Sequence, residues 1–404
     1  MSRTLDDAPF LDTFSAEFQA DPGAAVNAVR AESWVVRTMI GGLVIGRPQV
    51  QTLLGDRRLR SSIPDLLAIQ GVGEGPLFDE ISSSIIALEG ADHLRIRKLV
   101  NRAFTPRAVD VHRPHMRDTL RRLLDPVLAD GRCDFVTAVA DHYPIQVMCH
   151  VLGVPDEDHE DFATWNQAIT WALSFQLGVH REEVEWGLGK MNGYVSGLVA
   201  DRRANPREDM ISALVQAQEA DDRLTDQEVQ TMIAALLFAG YDTTRNQLGL
   251  ALWLFAQHPD QWRLLAEEPD RATAAVEEVM RFHGAVSVVP RMVAEDIDLD
   301  GYLIPTGTIL LLSASAANHD PGFYTQPATF DITVPREPQL TFGGGPHYCL
   351  GAGLARAEMQ EALRILAADL PDLALDGEPA WRQMVGIYGP DSLPIRFAPS
   401  AVTA

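Results

Sequence analysis

Cysteine is nearly absent from this chain, and positive charge is scarce. Cys133, Cys149 and Cys349 are the only thiols in 404 residues, too few for a disulfide framework. The opening MSRTLDDAPF lacks the basic, apolar and small-residue succession of a secretory leader, so a cytoplasmic protein is expected. Against 56 Asp and Glu there are only 33 Lys and Arg, a net charge of −23. That balance repels phosphate backbones and anionic lipid and argues against a nucleic-acid partner. Long apolar runs are missing too: Met232 to Gly240, Leu248 to Ala256 and Ile309 to Leu312 fall short of the ~20 residues that span a bilayer. No repeat or Gly/Ser linker divides the chain, so 1–404 is expected to be one functional unit.

What is present reads as mainly α with small β-sheets. After a polar opening segment, Trp34 to Arg37 and Leu43 to Ile45 flank Gly41-Gly42 as a short hairpin. From about Pro48 to Asp270 the period is helical. Its longest stretch, Asp226 to Gln257, stands behind a Thr225-x-x-Glu228 capping box. Between Val286 and Val334 the residues turn β-branched and loop-like, and helix returns after Gly351.

The chemistry concentrates in Phe342-Gly343-Gly344-Gly345-Pro346-His347-Tyr348-Cys349-Leu350-Gly351, a Gly-rich loop delivering one Cys ahead of a helical run, Ala352 to Ala367. A helix N-terminus and close backbone N–H groups favour an ionised sulfur, a soft anionic metal ligand. A phosphate-cradling loop would end in Lys-Ser/Thr and be followed by a βαβ unit, and neither is there. Gly71-Val72-Gly73-Glu74-Gly75-Pro76 lacks the third glycine of a dinucleotide loop and carries Pro where its helix should open. Ala239-Gly240-Tyr241-Asp242-Thr243-Thr244 puts polar groups inside the longest apolar helix, where the small pair Ala239-Gly240 would let a ligand approach.

The Cys loop matches Phe-Gly-x-Gly-x-His-x-Cys-x-Gly, and in this the chain resembles the cytochrome P450 family from about Trp34 to Phe397. The resemblance implies the fold of that family, with haem b between a long distal helix and the Cys loop, and Cys349 as axial iron ligand. It further implies Phe342, Gly343, Gly351 and Ala239 beside the haem, and His93, Arg97, Arg291 and His347 on its propionates. Asp242 and Thr243 become an acid–alcohol pair for proton delivery, and Glu278-x-x-Arg281 the structural pair of the family. The pocket would take in Ile85, Ile86, Trp171, Phe175, Ala235, Phe238, Val286, Val288, Val289, Ile387 and Tyr388. Nearly all are apolar, which suits a small-to-medium hydrophobic substrate.

One departure stands out: the position where the family usually has the Arg that completes a triad with Glu-x-x-Arg holds Val334, with Arg336 two residues on, where it could substitute after a local shift. The usual His of the lead-in is Gln339. The function implied is an O2-activating monooxygenase. The alternatives are a peroxide-driven oxidase or an isomerase/dehydratase on the same scaffold, and a haem-based sensor or ligand binder. With Cys349 assigned, two cysteines cannot ligate an iron–sulfur cluster, so electrons, ultimately from NAD(P)H, must come from an external protein. An acidic ferredoxin with its reductase fits the stretch 91–122. There nine basic residues (Arg95, Arg97, Lys98, Arg102, Arg107, Arg113, Arg117, Arg121, Arg122) meet three Asp, a local +6.

Overall fold

The computed structural model describes residues 3–174, 176–221, 224–381 and 386–399. Its largest sheet is built from β1 (Val35–Arg37), β2 (Gly42–Val44), β3 (Leu59–Ser61), β4 (Val288–Val293) and β5 (Ile309–Ser313) in the order β1-β2-β5-β4-β3. The expected hairpin is there, with Val35 opposite Val44 and Val36 opposite Leu43. β2 lies parallel to β5 and β4 antiparallel to it. β3 closes the edge with Ser61 opposite Arg291, a register that holds Arg291 beside the start of the first long helix. Three smaller sheets of two or three strands lie elsewhere.

Helices carry the rest. Seven matter here: α1 (Gly90–Val100), α2 (Arg113–Leu128), α3 (Tyr143–Leu152), α4 (Arg181–Ala204), α5 (Asp226–Gln257), α6 (Ala272–Phe282) and α7 (Ala352–Asp369). α5 begins where the sequence says, because both halves of the capping box form: Glu228 N–H donates to Thr225 Oγ1 at 3.1 Å and Thr225 N–H to Glu228 Oε2 at 2.7 Å. It stops at His258 because Pro259, which opens the next helix, cannot continue it. Between those ends it is buried on nearly every side. Val229, Ile233, Leu237 and Leu248 are fully enclosed, each worth up to ~1.5–3 kcal/mol, which outweighs the ~1 kcal/mol cost of Gly240 in mid-helix. α3 and α4 pack on α5, while α7 packs on α2 and α6.

Two differences from the expected layout have local causes. The polar opening segment contains helices at Ala16–Ala20 and Pro22–Arg30, capped by Ser15 Oγ and Asp21 Oδ1. Phe18, Val26 and Val29 of these two helices pack on the back of the large sheet. The loop-like stretch after Val286 also includes a short helix, Ala314–Asn318, started by Ser313 Oγ. No helix among the described residues is long and apolar enough to cross a membrane.

Candidate active site

The Cys loop turns through two glycines with positive φ, Gly343 at 69° and Gly345 at 64°. Gly345 is required twice over, since a Cβ there would also sit 2.2 Å from Leu54 O. A 3-10 turn at Gly345–His347 follows, and Cys349 N–H closes the loop on Phe342 O at 3.0 Å. α7 starts three residues later at Ala352, as the sequence indicates. Burial pushes the Cys349 thiol up, and the Gly351 N–H and the charges of Arg97 and Arg356 only partly oppose it. A metal ion is what removes a proton outright from such a sulfur.

Three segments bring cationic and donor groups to one place. α1 carries His93 and Arg97 one turn apart, the sheet carries Arg291, and the Cys loop carries His347. The His93 and His347 rings lie 4.2 Å apart. His347 Nε2 meets Glu89 Oε1 at 3.1 Å, and Arg97 donates to the Tyr348 carbonyl. His93 is 1% exposed and its Nε2 has no partner. Burial first, then the charges of His347, Arg97 and Arg291, push its pKa down to about 4, with Glu89 opposing. Burial lowers Arg291 as well, against Glu89. Glu89 itself is held below the usual range: burial raises it, but His347, the Ser61 N–H and Arg291 win. An orphaned buried imidazole nitrogen and two guanidiniums make a donor edge suited to a dianion.

On α5 the side chains of Ala235, Ala239 and Thr243, four apart, form an accessible stripe in the middle of a buried helix. Thr243 Oγ1 donates to Ala239 O at 2.8 Å, a back-bond that bends helices. Gly240 faces the other way: a Cβ there would lie 2.5 Å from Met148 Sδ of α3. The room at Ala239-Gly240 therefore serves two neighbours, with Ala239 on the open side and Gly240 against α3. Asp242 is 1% exposed, with Asn246 Nδ2 bonding its O at 2.7 Å and its Oδ1 at 3.1 Å. A polar cavity of about 210 Å³ lies beside it, lined by Gln167, Thr170, Glu183, Tyr241, Arg245 and Asp391 together with Trp171.

The candidate pocket residues separate into groups. Ala235 and Phe238 sit on the same stretch of α5 as the open stripe. Val288 and Val289 are half-buried on β4, Val286 bridges Ile387, Ile85 is half-buried and Ile86 exposed. Trp171 lies flat on His180 at 4.0 Å and borders the polar cavity. Tyr388 is stacked between Trp381 and His283 at 5.4 and 5.9 Å. Phe175 lies outside the described residues.

The family model for cytochrome P450 matches residues 76–366. The chain belongs to the cytochrome P450 family. It is 40% identical over 396 residues to the luteothin monooxygenase of Streptomyces thioluteus, covering 97% of this chain and 96% of that one. To the P450 monooxygenase PikC of Streptomyces venezuelae it is 34% identical, covering 98% and 96%. Among solved structures, CalO2 superposes with a TM-score of 0.91 at 28% identity over 97% of this chain and 100% of that one. P450BioI, bound to an acyl carrier protein bearing hexadec-9Z-enoic acid, gives 0.87 at 30% over 95% and 100%. The protein is thus a P450 monooxygenase, a family that uses haem and O2, and the donor edge and the lone thiol described above fit that group.

Within this P450 the Glu278–Arg281 pair is buried at 2% and 1% exposure. Arg281 Nε and Nη2 reach the two carboxylate oxygens at 2.7 and 2.9 Å. Arg336 completes the set, its Nη2 3.3 Å from Glu278 Oε1, while Val334 is 39% exposed. Sequence reasoning missed Glu89, Arg356 and Glu277, whose partners are remote in sequence. It also overstated the basic stretch. Arg95 pairs with Glu228, and Arg113 and Arg117 with Glu361. Lys98, Arg102 and Arg107 are exposed and hold no salt bridge among the described residues.

Proposed function

We propose that this P450 inserts one oxygen atom of O2 into an uncharged, largely apolar substrate, using electrons from an acidic ferredoxin served by an NAD(P)H-dependent reductase. The observation that carries the reading is the convergence of His93, Arg97, Arg291 and His347 on one edge, with Arg97 also within electrostatic reach of Cys349. Haem b bound there by the Cys349 thiolate supplies the O2 activation, because a thiolate pushes electron density onto the iron and favours O–O cleavage.

The chain's own residues do the rest. Arg97, Arg291, His93 and His347 would hold the propionates, and Ala239 keeps the open stripe of α5 accessible. Thr243 has its proton committed to Ala239 O, so its lone pairs accept from a protic group in the cavity. Asp242, between that stripe and the polar cavity, passes protons inward. Ala235, Phe238, Val286, Val288, Val289 and Ile387 give an apolar lining without a charge to anchor a carboxylate. The polyketide-biosynthesis P450 PksS of Bacillus subtilis among the relatives favours a polyketide-type substrate. Lys98, Arg102 and Arg107 offer the acidic partner its docking charges.

The reduced carbon monoxide difference spectrum tests the ligand. Wild type should give the thiolate band and Cys349→His should lose it, whereas an unaltered band in the variant would refute the assignment. Product formed per reductant consumed tests the proton residues. Thr243→Ala should still bind substrate and consume reductant but lose much of it to hydrogen peroxide, and Asp242→Asn should slow turnover as a whole. Wild-type coupling in Thr243→Ala would mean that the helix is bent for packing alone or that a water chain from another side chain delivers the protons.

A further inference from the structure

Behind the Cys loop sits an ion pair with no part in the reading above. Arg356, on the first turns of α7, stacks its guanidinium 4.4 Å from the Phe342 ring centroid. Its Nη1 donates to Tyr348 Oη at 3.2 Å. Its Nε and Nη2 bind both carboxylate oxygens of Glu277 on α6. Two of the three residues Arg356 touches adjoin Cys349: the Phe342 carbonyl accepts the Cys349 N–H, and Tyr348 precedes it in the chain. Glu277 is held in turn by Gln339 Nε2 at 3.2 Å. Gln339 is the neutral residue standing where the family usually has His, so it adds no charge of its own.

We infer that the Arg356–Glu277 pair sets the reduction potential of the group bound at Cys349, with Arg356 raising it and Glu277 lowering it. The inference rests on Cys349 being the haem ligand. One-electron reduction of iron(III) to iron(II) by the external donor adds one negative charge to the thiolate-bound centre. A fixed cation against the Phe342 ring favours that charge, and a carboxylate one residue further out opposes it. Both side chains are about one-third exposed, Arg356 at 30% and Glu277 at 37%, so the effect is partly screened by solvent. Each is a positioning and charge residue, since neither reaches the open stripe on α5.

The sign separates this from a purely structural role. If the pair only braced α7 on α6, removing either partner would loosen the same contact and move every property the same way. If charge is what matters, the two removals act in opposite directions. The test is potentiometric titration of the purified haem protein as wild type, Arg356→Gln, Glu277→Gln and the double variant. Arg356→Gln should shift the ferric–ferrous equilibrium about tenfold toward ferric, the order expected of one partly screened unit charge, or about 59 mV for one electron. Glu277→Gln should shift it severalfold toward ferrous, and the double variant should lie near wild type. Shifts of the same sign in both single variants, or shifts under about twofold in both, would overturn the inference. A wild-type protein without the thiolate carbon monoxide band would instead overturn the ligand assignment, so the two failures are distinguishable.

Discussion

Removing Arg336 should cost this P450 stability, but clearly less than removing Arg281, and the gap follows from how Glu278 is shared. The Arg281 guanidinium makes five hydrogen bonds: two to the Glu278 carboxylate and one each to the carbonyls of Asn318, Pro327 and Thr329. Arg281→Ala leaves a carboxylate that is 2% exposed with only Arg336 Nη2 at 3.3 Å and the Asp331 N–H at 3.1 Å. Breaking a buried pair from one side costs about 3–5 kcal/mol, a large part of a total near 5–15 kcal/mol. Arg336→Ala leaves both Arg281 bonds intact, so the charge stays compensated. What is lost is one charged bond to Glu278 and those to the Thr325 and Thr329 carbonyls, about 1–2 kcal/mol net. Urea unfolding of the haem protein, followed by fluorescence and haem absorbance, should give the order wild type, Arg336→Ala, Arg281→Ala. The exchange Val334→Arg with Arg336→Val should not restore stability, because position 334 is exposed. Equal losses for the two alanine variants, or no loss for Arg336→Ala, would refute the sharing argument.

Gly240→Ala should destabilise by about 1–2 kcal/mol despite the gain in helix propensity, because the new Cβ overlaps Met148. Pairing it with Met148→Ala should recover part of the loss in a thermal melt, and additive losses would contradict the proposed contact. Burial, with the charge of His319 behind it, pushes His283 down to about 4. Unfolded imidazole protonates near 6.5, so the stability tied to neutral His283 is complete above that pH and lost as pH falls toward 4. The drop in urea midpoint from pH 7.5 to 5 should shrink in His283→Phe, and an unchanged drop would assign the acid sensitivity elsewhere. Charge reversal at Lys98, Arg102 or Arg107 should slow reduction by an acidic ferredoxin in a salt-dependent way while substrate binding is spared. Reversal at Arg113, already engaged by Asp110 and Glu361, should act mainly on stability. Indifference of the reduction rate to the first three and to ionic strength would move the docking face.

What the sequence made legible was whatever local chemistry decides. α5 could be bounded at both ends because a capping box and a His-Pro stop are contiguous signals, and the Cys loop could be found because its glycines, His347 and Cys349 lie within ten positions. Counting alone put Val334 at the place of the third Arg and reached Arg336 only through a local shift, since residues between Thr333 and Gln339 run through Pro335 and Pro338 without regular geometry and equal spacing has no meaning there. The basic stretch was read too generously for a related reason. Its cancelling carboxylates, Glu228 and Glu361, lie more than a hundred residues away, so a running sum of charge sees only one half of each pair. Glu89 and Glu277 were invisible on the same ground, as each acquires a role only when the Cys loop or α7 brings His347 or Arg356 against it. The proximal charges of this P450 are therefore sorted by folding into two kinds. Arg97, held by the Tyr348 carbonyl, and Arg356, paired with Glu277, are fixed within electrostatic reach of Cys349. Lys98, Arg102 and Arg107 stay exposed and are the charges proposed to meet a partner. A sequence in which that sorting failed, with Arg356 freed from Glu277, would keep every motif and still hold its haem at a different potential.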